Sequence, residues 1–147
     1  MTDFVAQTKS TIDRMAVEIA SALGYEFAEL DDEHAAERVL TESGNAIIWQ
    51  FMEMREKPRA PLYEGAFAVG VKAQNNDPGN YGLFDALAAI KAKFPEGVGF
   101  TVGDYAHVPA VVDTGFMVVT HSNLEEQLVD SGSQLRLYAF SFKAAAK

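Results

Sequence analysis

Two long stretches of this chain alternate in sequence yet are apolar on both of their faces. The first runs from Leu62 to Lys72 and the second from Gln134 to Lys143. A period of two is typical of a β-strand, whose successive side chains point to opposite sides of a sheet. Because neither face suits water, each strand must be covered twice, once by its own helices and once by something else. Ala66, Ala68 and Gly70 make one face small and flat, which favours close approach by another backbone.

Length and composition favour one globular domain spanning residues 1–147. Hydrophobic residues make up 48% of the 147-residue chain, which is enough for a real core. There is no cysteine, which excludes disulfides and cysteine-ligated metal sites and favours a reducing compartment. The N-terminus has no secretory signal pattern, and no stretch approaches the roughly 20 apolar residues of a membrane span. We therefore expect a soluble protein made in the cytoplasm, without a membrane partner.

Acidic residues dominate the charge of the chain, whose formal net charge is −9. Between Glu26 and Glu56 nine acids face two bases, so this stretch alone contributes −7. A phosphate backbone is bound by clustered Lys and Arg, so the charge argues against a broad nucleic-acid surface. We interpret the acidic run as a solvated face.

Local patterns predict two main helices and several strands. Apolar residues at helical spacing predict a first helix over Asp3–Leu23, with Gly24 just beyond its end. A short helix carrying Ala35, Ala36, Val39 and Leu40 is also predicted. The remaining predictions are a second helix over Leu83–Phe94 and strands at Tyr25–Leu30, Ala46–Arg55, Leu62–Lys72, Val98–Asp104, Gly115–His121 and Leu135–Lys143. This order predicts an α+β fold, a mostly antiparallel sheet with two main helices packed on one face.

A metal site is the first chemical alternative. Asp104, His107, Asp113 and His121 supply imidazole and carboxylate groups of the kind that hold a divalent metal. Their spacing matches no known signature, and ordinary exposed or capping roles are commoner for histidines in turns. His121-Ser122 has the composition of part of a nucleophilic triad, but no Gly-x-Ser-x-Gly pattern supports it.

Three further patterns are better explained by structure than by chemistry. The oxygen-rich loop Asn75–Tyr81 contains Pro78 and lacks the closing glutamate of a calcium loop. Gly97, Gly99 and Gly103 lack the lysine and helix of a phosphate-binding loop, so we expect turns or strand bulges. The aromatic residues of the last strand have few basic neighbours, which favours core packing over base stacking. We assign no catalytic, cofactor-binding or metal-binding residue.

Five pieces of the chain follow one another in a familiar order. They are the helix ending at Leu23-Gly24, the strand Tyr63–Val71, the helix Leu83–Phe94, the strand Phe100–Asp104 and the closing strand Arg136–Phe142. This layout resembles the phage tail terminator, or tail completion, family across most of the chain. The family has no invariant chemical signature, and the acidic segment Asp31–Ser43 is longer than its pattern needs.

The resemblance implies a structural virion protein and not an enzyme. Members of that family form hexameric rings that cap the tail tube, stop its polymerisation and present a surface to the neck. The implied partners are copies of the chain itself, the tail tube and sheath proteins and the neck connector, with DNA passing through without specific binding. The implied location is the virion tail, assembled in the host cytoplasm, and no cofactor is implied.

The resemblance also suggests where partners bind. The loops Lys57–Pro61 and Asn75–Tyr81 would project toward the tube or neck. Two alternatives remain open: another neck or baseplate adaptor, and a small metal-dependent enzyme or ligand-binding domain that uses Asp104, His107 and His121. The candidate interface residues are Lys57, Arg59, Asn76, Asp77, Asn80, Tyr81 and Arg136.

Overall fold

The computed structural model describes residues 3–34, 37–38, 44–58, 62–74, 81–103, 105, 113–130 and 133–147, with the backbone alone for 74, 81, 126–130 and 133. Two long helices and six strands lie within these residues. The helices are α1 (Phe4–Leu23) and α2 (Tyr81–Lys93). The strands are β1 (Glu26–Glu29), β2 (Ala46–Glu56), β3 (Leu62–Gln74), β4 (Gly99–Gly103), β5 (Asp113–Asp130) and β6 (Ser133–Ala146).

Helix α1 begins and ends where its sequence predicts. The Asp3 side chain accepts a hydrogen bond of 2.8 Å from the backbone N–H of Ala6, which satisfies a donor of the first turn. Gly24 adopts a left-handed conformation (φ 70°) and its N–H bonds back to the carbonyls of Ala20 and Ser21. Glycine takes this conformation without the steric cost of a Cβ, so the helix ends there.

The six strands form one sheet in the order β1-β2-β3-β6-β5-β4. Every neighbouring pair is antiparallel except β1 and β2, which are parallel. This arrangement confirms the predicted α+β class and the mostly antiparallel sheet. β2 and β3 form an antiparallel hairpin, and the Lys57 N–H donates 2.8 Å to the carbonyl of Leu62 across its connection.

Both helices pack against the same face of the sheet, which we call the inner face. One core cluster joins Ile12 and Ala16 of α1 and Ile90 of α2 to strand residues such as Val69. At its centre Phe67 stacks on Phe140 with 5.0 Å between ring centroids. Around this pair, ring centroids lie 5.1–5.8 Å apart in Phe67–Phe94, Phe67–Phe142 and Phe94–Phe140.

Two polar links hold the helices in place. The hydroxyl of Thr11, buried in α1, accepts from the N–H of Gly103 at 3.2 Å, and its single proton lies within reach of the carbonyls of Gln7 at 2.9 Å and Gly103 at 3.3 Å. The hydrogen bond that Thr11 accepts satisfies the backbone N–H of Gly103, the last residue of β4. Lys93 of α2 donates 2.6 Å to Glu18 of α1, and this hydrogen bond is the main reason why the pKa of Glu18 lies below its ordinary value.

The predicted short helix between β1 and β2 is only partly testable. Glu33, His34, Glu37 and Arg38 are helical. Its apolar residues Ala35, Ala36, Val39 and Leu40 lie outside the described residues. Arg38 lies 3.8 Å from Glu26 of β1, in an ion pair between two exposed side chains.

Candidate assembly surface

The face of the sheet opposite the helices, which we call the outer face, is apolar along much of its length. A second cluster of buried residues lies there, formed by Ala28, Ala46, Ile48 and Leu135. Ile48 is completely buried in the single chain. The predicted two-sided apolarity is therefore present, but this end of the outer face is covered without a second copy.

On both faces of β3, side chains of the neighbouring strand β6 occupy the space beside a glycine. The position of a Cβ at Gly70 would overlap the side chain of Leu137, its direct cross-strand partner. A Cβ at Gly65 would lie 2.5 Å from the ring of Phe142, again its direct partner. Of the small residues predicted to admit another backbone, Gly70 thus admits a side chain of the same chain.

The other end of the outer face remains exposed. Leu62, Ala145 and Phe116 lie in one row across β3, β6 and β5. Phe116 is 57% exposed and Leu62 is 49% exposed, which is unusual for side chains of this size. Together with Val118 they line a shallow cavity of about 180 Å³. We call Leu62, Phe116, Val118 and Ala145 the outer patch.

Charged residues next to the outer patch are paired with one another. Lys57 donates 2.8 Å to Glu64, and this hydrogen bond holds the pKa of Glu64 below its ordinary value. Lys147 lies 3.0 Å from Asp113 at the start of β5, and its hydrogen bond likewise lowers the pKa of that carboxyl. These two ion pairs offset their own charges, and Lys143 also lines the cavity, so the outer patch is apolar with one cationic side chain at its margin.

The residues predicted as an interface do not form one cluster. Lys57 follows β2 beside the outer patch, whereas Arg136 lies on β6 near the opposite end of the sheet, paired with Val71. The guanidinium of Arg136 stands 5.6 Å from the ring centroid of Phe84 on α2. Tyr81 is the first residue of α2. Arg59, Asn76, Asp77 and Asn80 lie outside the described residues.

A second concave surface lies along α1. A groove of about 480 Å³ is lined by Ser10, Asp13, Arg14, Val17, Glu18 and Tyr105. Arg14 stacks over the ring of Tyr105 at 4.6 Å, and Asp13 accepts a hydrogen bond from Trp49. Burial raises the pKa of Asp13 more than that hydrogen bond lowers it. The polar groups of this groove are engaged with each other, so we assign it a structural role.

The alternative metal site is only partly described. Asp113 accepts from the Gly115 N–H at 3.2 Å as well as pairing with Lys147, and His121 is exposed on β5. Asp104 and His107 lie outside the described residues. Among the residues that the structure describes, no three His, Asp or Glu side chains are grouped as metal ligands.

Gly97, Gly99 and Gly103 have local structural roles. Gly97 adopts φ 78° in the turn before β4, where its N–H donates 2.9 Å to the carbonyl of Val119. Gly99 and Gly103 are the two ends of β4, and the register shifts between Val102 and Gly103. The prediction of turns or strand bulges is confirmed for Gly97 and Gly103, whereas Gly99 begins a strand.

Two comparisons complete the description. Neither a protein-family model nor a curated protein sequence matches this chain. Within the described residues, neither α1 nor α2 has the length and apolar character needed to span a bilayer.

Proposed function

We propose that this chain is a structural protein of a phage tail, which closes the end of the tail tube as a hexameric ring and joins the tail to the neck. The observation that carries the proposal is the outer patch. Leu62 and Phe116 flank Ala145 in one row on an open sheet face, where a second copy or a tail partner would bury both. The element order described above supports the same reading.

A ring supplies the covering that the outer patch lacks. In a head-to-tail ring each copy contributes two different surfaces, so an apolar patch on one copy meets another region of its neighbour. Well-packed centres of such interfaces are apolar and surrounded by polar residues. The outer patch has this composition, with Lys57–Glu64 and Lys147–Asp113 at its rim.

The charge of the chain suits the proposed channel. A net charge of −9 disfavours tight binding of a phosphate backbone. A ring of such chains would therefore let DNA pass without holding it. This part of the proposal is a consequence of composition and needs no specific base or phosphate contact.

Disruption of the gene in the phage or prophage that encodes it tests the function. We expect tails of uncontrolled length that lack heads in electron micrographs, and recovery when the wild-type gene is supplied in trans. Headless tails of normal length would instead favour the neck adaptor alternative. Normal, head-bearing particles without the protein would refute a role in the tail.

The outer patch is tested by two exposed phenylalanines. Phe116→Asp should fail to restore the particles and should lower the mass of the purified assembly measured by light scattering. Phe84→Asp is the matched control, because Phe84 is also half exposed but lies on α2, away from the outer face. Equal loss of assembly in both variants would contradict a specific role for the patch.

A further inference from the structure

β2 and β5 each have one edge that points away from the centre of the sheet. Another described strand pairs with only part of that edge. β1 pairs with β2 from Ala46 to Trp49, and β4 pairs with β5 from Asp113 to Val118. Glu96 continues this cover by bridging Val119 and accepting from the Ser122 N–H at 2.8 Å. Beyond these points, no described strand pairs with the outer side of residues 50–56 or 123–130. We call these segments the β2 edge and the β5 edge.

The two edges lie at opposite corners of the sheet. The β2 edge ends where Glu56 pairs with Tyr63, beside the β2–β3 connection. The β5 edge ends where Asp130 pairs with Ser133, at the other end of the sheet. β2 and β5 are separated by three antiparallel pairings, so the two strands run in opposite directions.

This geometry suits the joining of two copies in one continuous sheet. A copy related by rotation can place its β2 edge antiparallel to the β5 edge of the first copy. The two edges are offset by about half a strand, and closed sheets need such a stagger because their strands are tilted. The main-chain groups of an open edge supply the hydrogen bonds for strand addition.

Charge favours a β2–β5 contact over a contact between two β5 edges. Residues 122–130 contain three acids, Glu125, Glu126 and Asp130, and no Lys or Arg, while Arg136 of β6 stands opposite Glu126 and offsets part of this charge. Two β5 edges would therefore repel each other. The β2 edge instead balances Glu53 and Glu56 with Arg55 and the following Lys57.

Exposed apolar side chains stand on both edges. Met52 of the β2 edge is 56% exposed, and Leu124 of the β5 edge is 40% exposed. Strand addition would bury surface on each of them. The bulge between Phe51 and Glu53 leaves Glu53–Glu56 as the regular part of the β2 edge, so we expect a short contact that depends on ring closure.

We infer that neighbouring copies of this chain join head to tail by pairing the β2 edge of one copy with the β5 edge of the next. The inference rests on the proposed ring and names its main-chain contact. Edge pairing extends the sheet and does not itself cover the outer patch, which would meet another region of the neighbouring copy or a tail partner.

Engineered cysteines test the inference, because the natural chain has none. Arg55 and Glu125 both lie on the outer face, as their cross-strand partners Glu64 and Leu137 show. We would combine Arg55→Cys with Glu125→Cys, Asn123→Cys or Gln127→Cys, since register can shift by two residues without changing face. Under mild oxidation of the assembled protein, one of these pairs should give a covalent ladder that ends at the ring.

Three controls make the ladder specific. Arg55→Cys combined with Leu124→Cys should lose the ladder completely, because Leu124 pairs with Tyr138 on the inner face. Each single-cysteine variant should remain a monomer on a denaturing gel. Dimers from a single variant would show symmetric pairing and overturn the inference, and so would equal ladders from Leu124→Cys and Glu125→Cys.

The outcomes separate this inference from the proposed function. Rings seen by light scattering or microscopy without any ladder from the three outer-face pairs would overturn the edge pairing and leave the tail function standing. A ladder from a protein that is dispensable for tails would support the pairing and refute the function. A chain that stays monomeric, with no ladder at its highest soluble concentration, would overturn the edge pairing.

Discussion

The indole Nε1 of Trp49 donates a hydrogen bond of 2.8 Å to Oδ1 of Asp13, which joins the centre of β2 to the middle of α1. Trp49 is completely buried and is the only tryptophan of the chain. Its indole ring also contacts Phe51 at 6.5 Å between centroids. The fluorescence of Trp49 therefore reports directly on the contact between the first helix and the sheet.

Removing the acceptor of this hydrogen bond should destabilise the fold. Asp13→Leu leaves the indole N–H without its partner, which we expect to cost about 1–3 kcal/mol of unfolding free energy. Asp13→Asn is the matched control, because its amide oxygen can still accept from the indole. Urea denaturation followed by Trp49 fluorescence measures both variants. Equal stability of the two would show that the hydrogen bond does not matter for folding.

The pH dependence of stability should isolate the raised pKa of Asp13. Burial is the main cause of the raised pKa, so the folded state holds this proton more tightly than the unfolded state. Asp13 then favours folding below its unfolded pKa of about 3.9, and this contribution is lost as pH rises through the higher folded-state pKa. The unfolding free energy of wild type minus that of Asp13→Asn should fall across this window.

The pH dependence that Glu18 contributes to the unfolding free energy should have the opposite sign. The hydrogen bond from Lys93 lowers its pKa, so its contribution is complete above the ordinary glutamate pKa of about 4.3. That contribution is lost as pH falls through the lowered folded-state pKa. The difference between wild type and Glu18→Gln should therefore rise with pH. A difference that rises with pH for Asp13→Asn would contradict the raised pKa of Asp13, and one that falls with pH for Glu18→Gln would contradict the lowered pKa of Glu18.

Local patterns were sufficient to predict most elements of the fold. Helix α1 has a regular apolar stripe between Asp3 and Gly24, and Pro58 and Pro61 mark the connection between β2 and β3. The second half of β5 was not predicted, because the sequence Ser122–Asp130 is mostly polar and has no regular apolar alternation. That segment is a strand because β6 pairs with it as far as Ser133. A local sequence pattern does not show which distant strand will pair with a segment.

The outer patch was harder to predict from the sequence than the fold. The alternation in Gly115–His121 places Phe116 and Val118 on one face and Met117 and Val119 on the other, and all four are apolar. Only the packing of the helices decides that Met117 and Val119 are buried while Phe116 is exposed. Likewise, the sequence indicated that the outer face needed cover, but not that Ile48 is covered by the chain itself.

Two phenylalanines on neighbouring strands should respond very differently to the same substitution. Phe140→Asp places an unpaired charge in the aromatic core, at a cost of several kcal/mol against a total stability of about 5–15. We expect this variant to be unfolded by circular dichroism. Phe116→Asp replaces an exposed side chain of the outer patch and should change the unfolding free energy by only about 0.5 kcal/mol. Unfolding of both variants would show that Phe116 is buried in solution.

The close contact between Gly65 and Phe142 predicts that alanine substitutions at two strand glycines will differ in their effect on stability. A methyl group at Gly65 would lie 2.5 Å from the carbonyl oxygen of Glu53 and 2.5 Å from the Phe142 ring, so backbone as well as side chain must move. We expect Gly65→Ala to lower the unfolding free energy by about 1–3 kcal/mol, as overpacked cores do. Gly99→Ala is the control, because its methyl group would meet Val118 at an ordinary 3.7 Å. Thermal denaturation should give a lower midpoint for Gly65→Ala alone, and equal midpoints would mean that β2, β3 and β6 are less closely packed at this point than described.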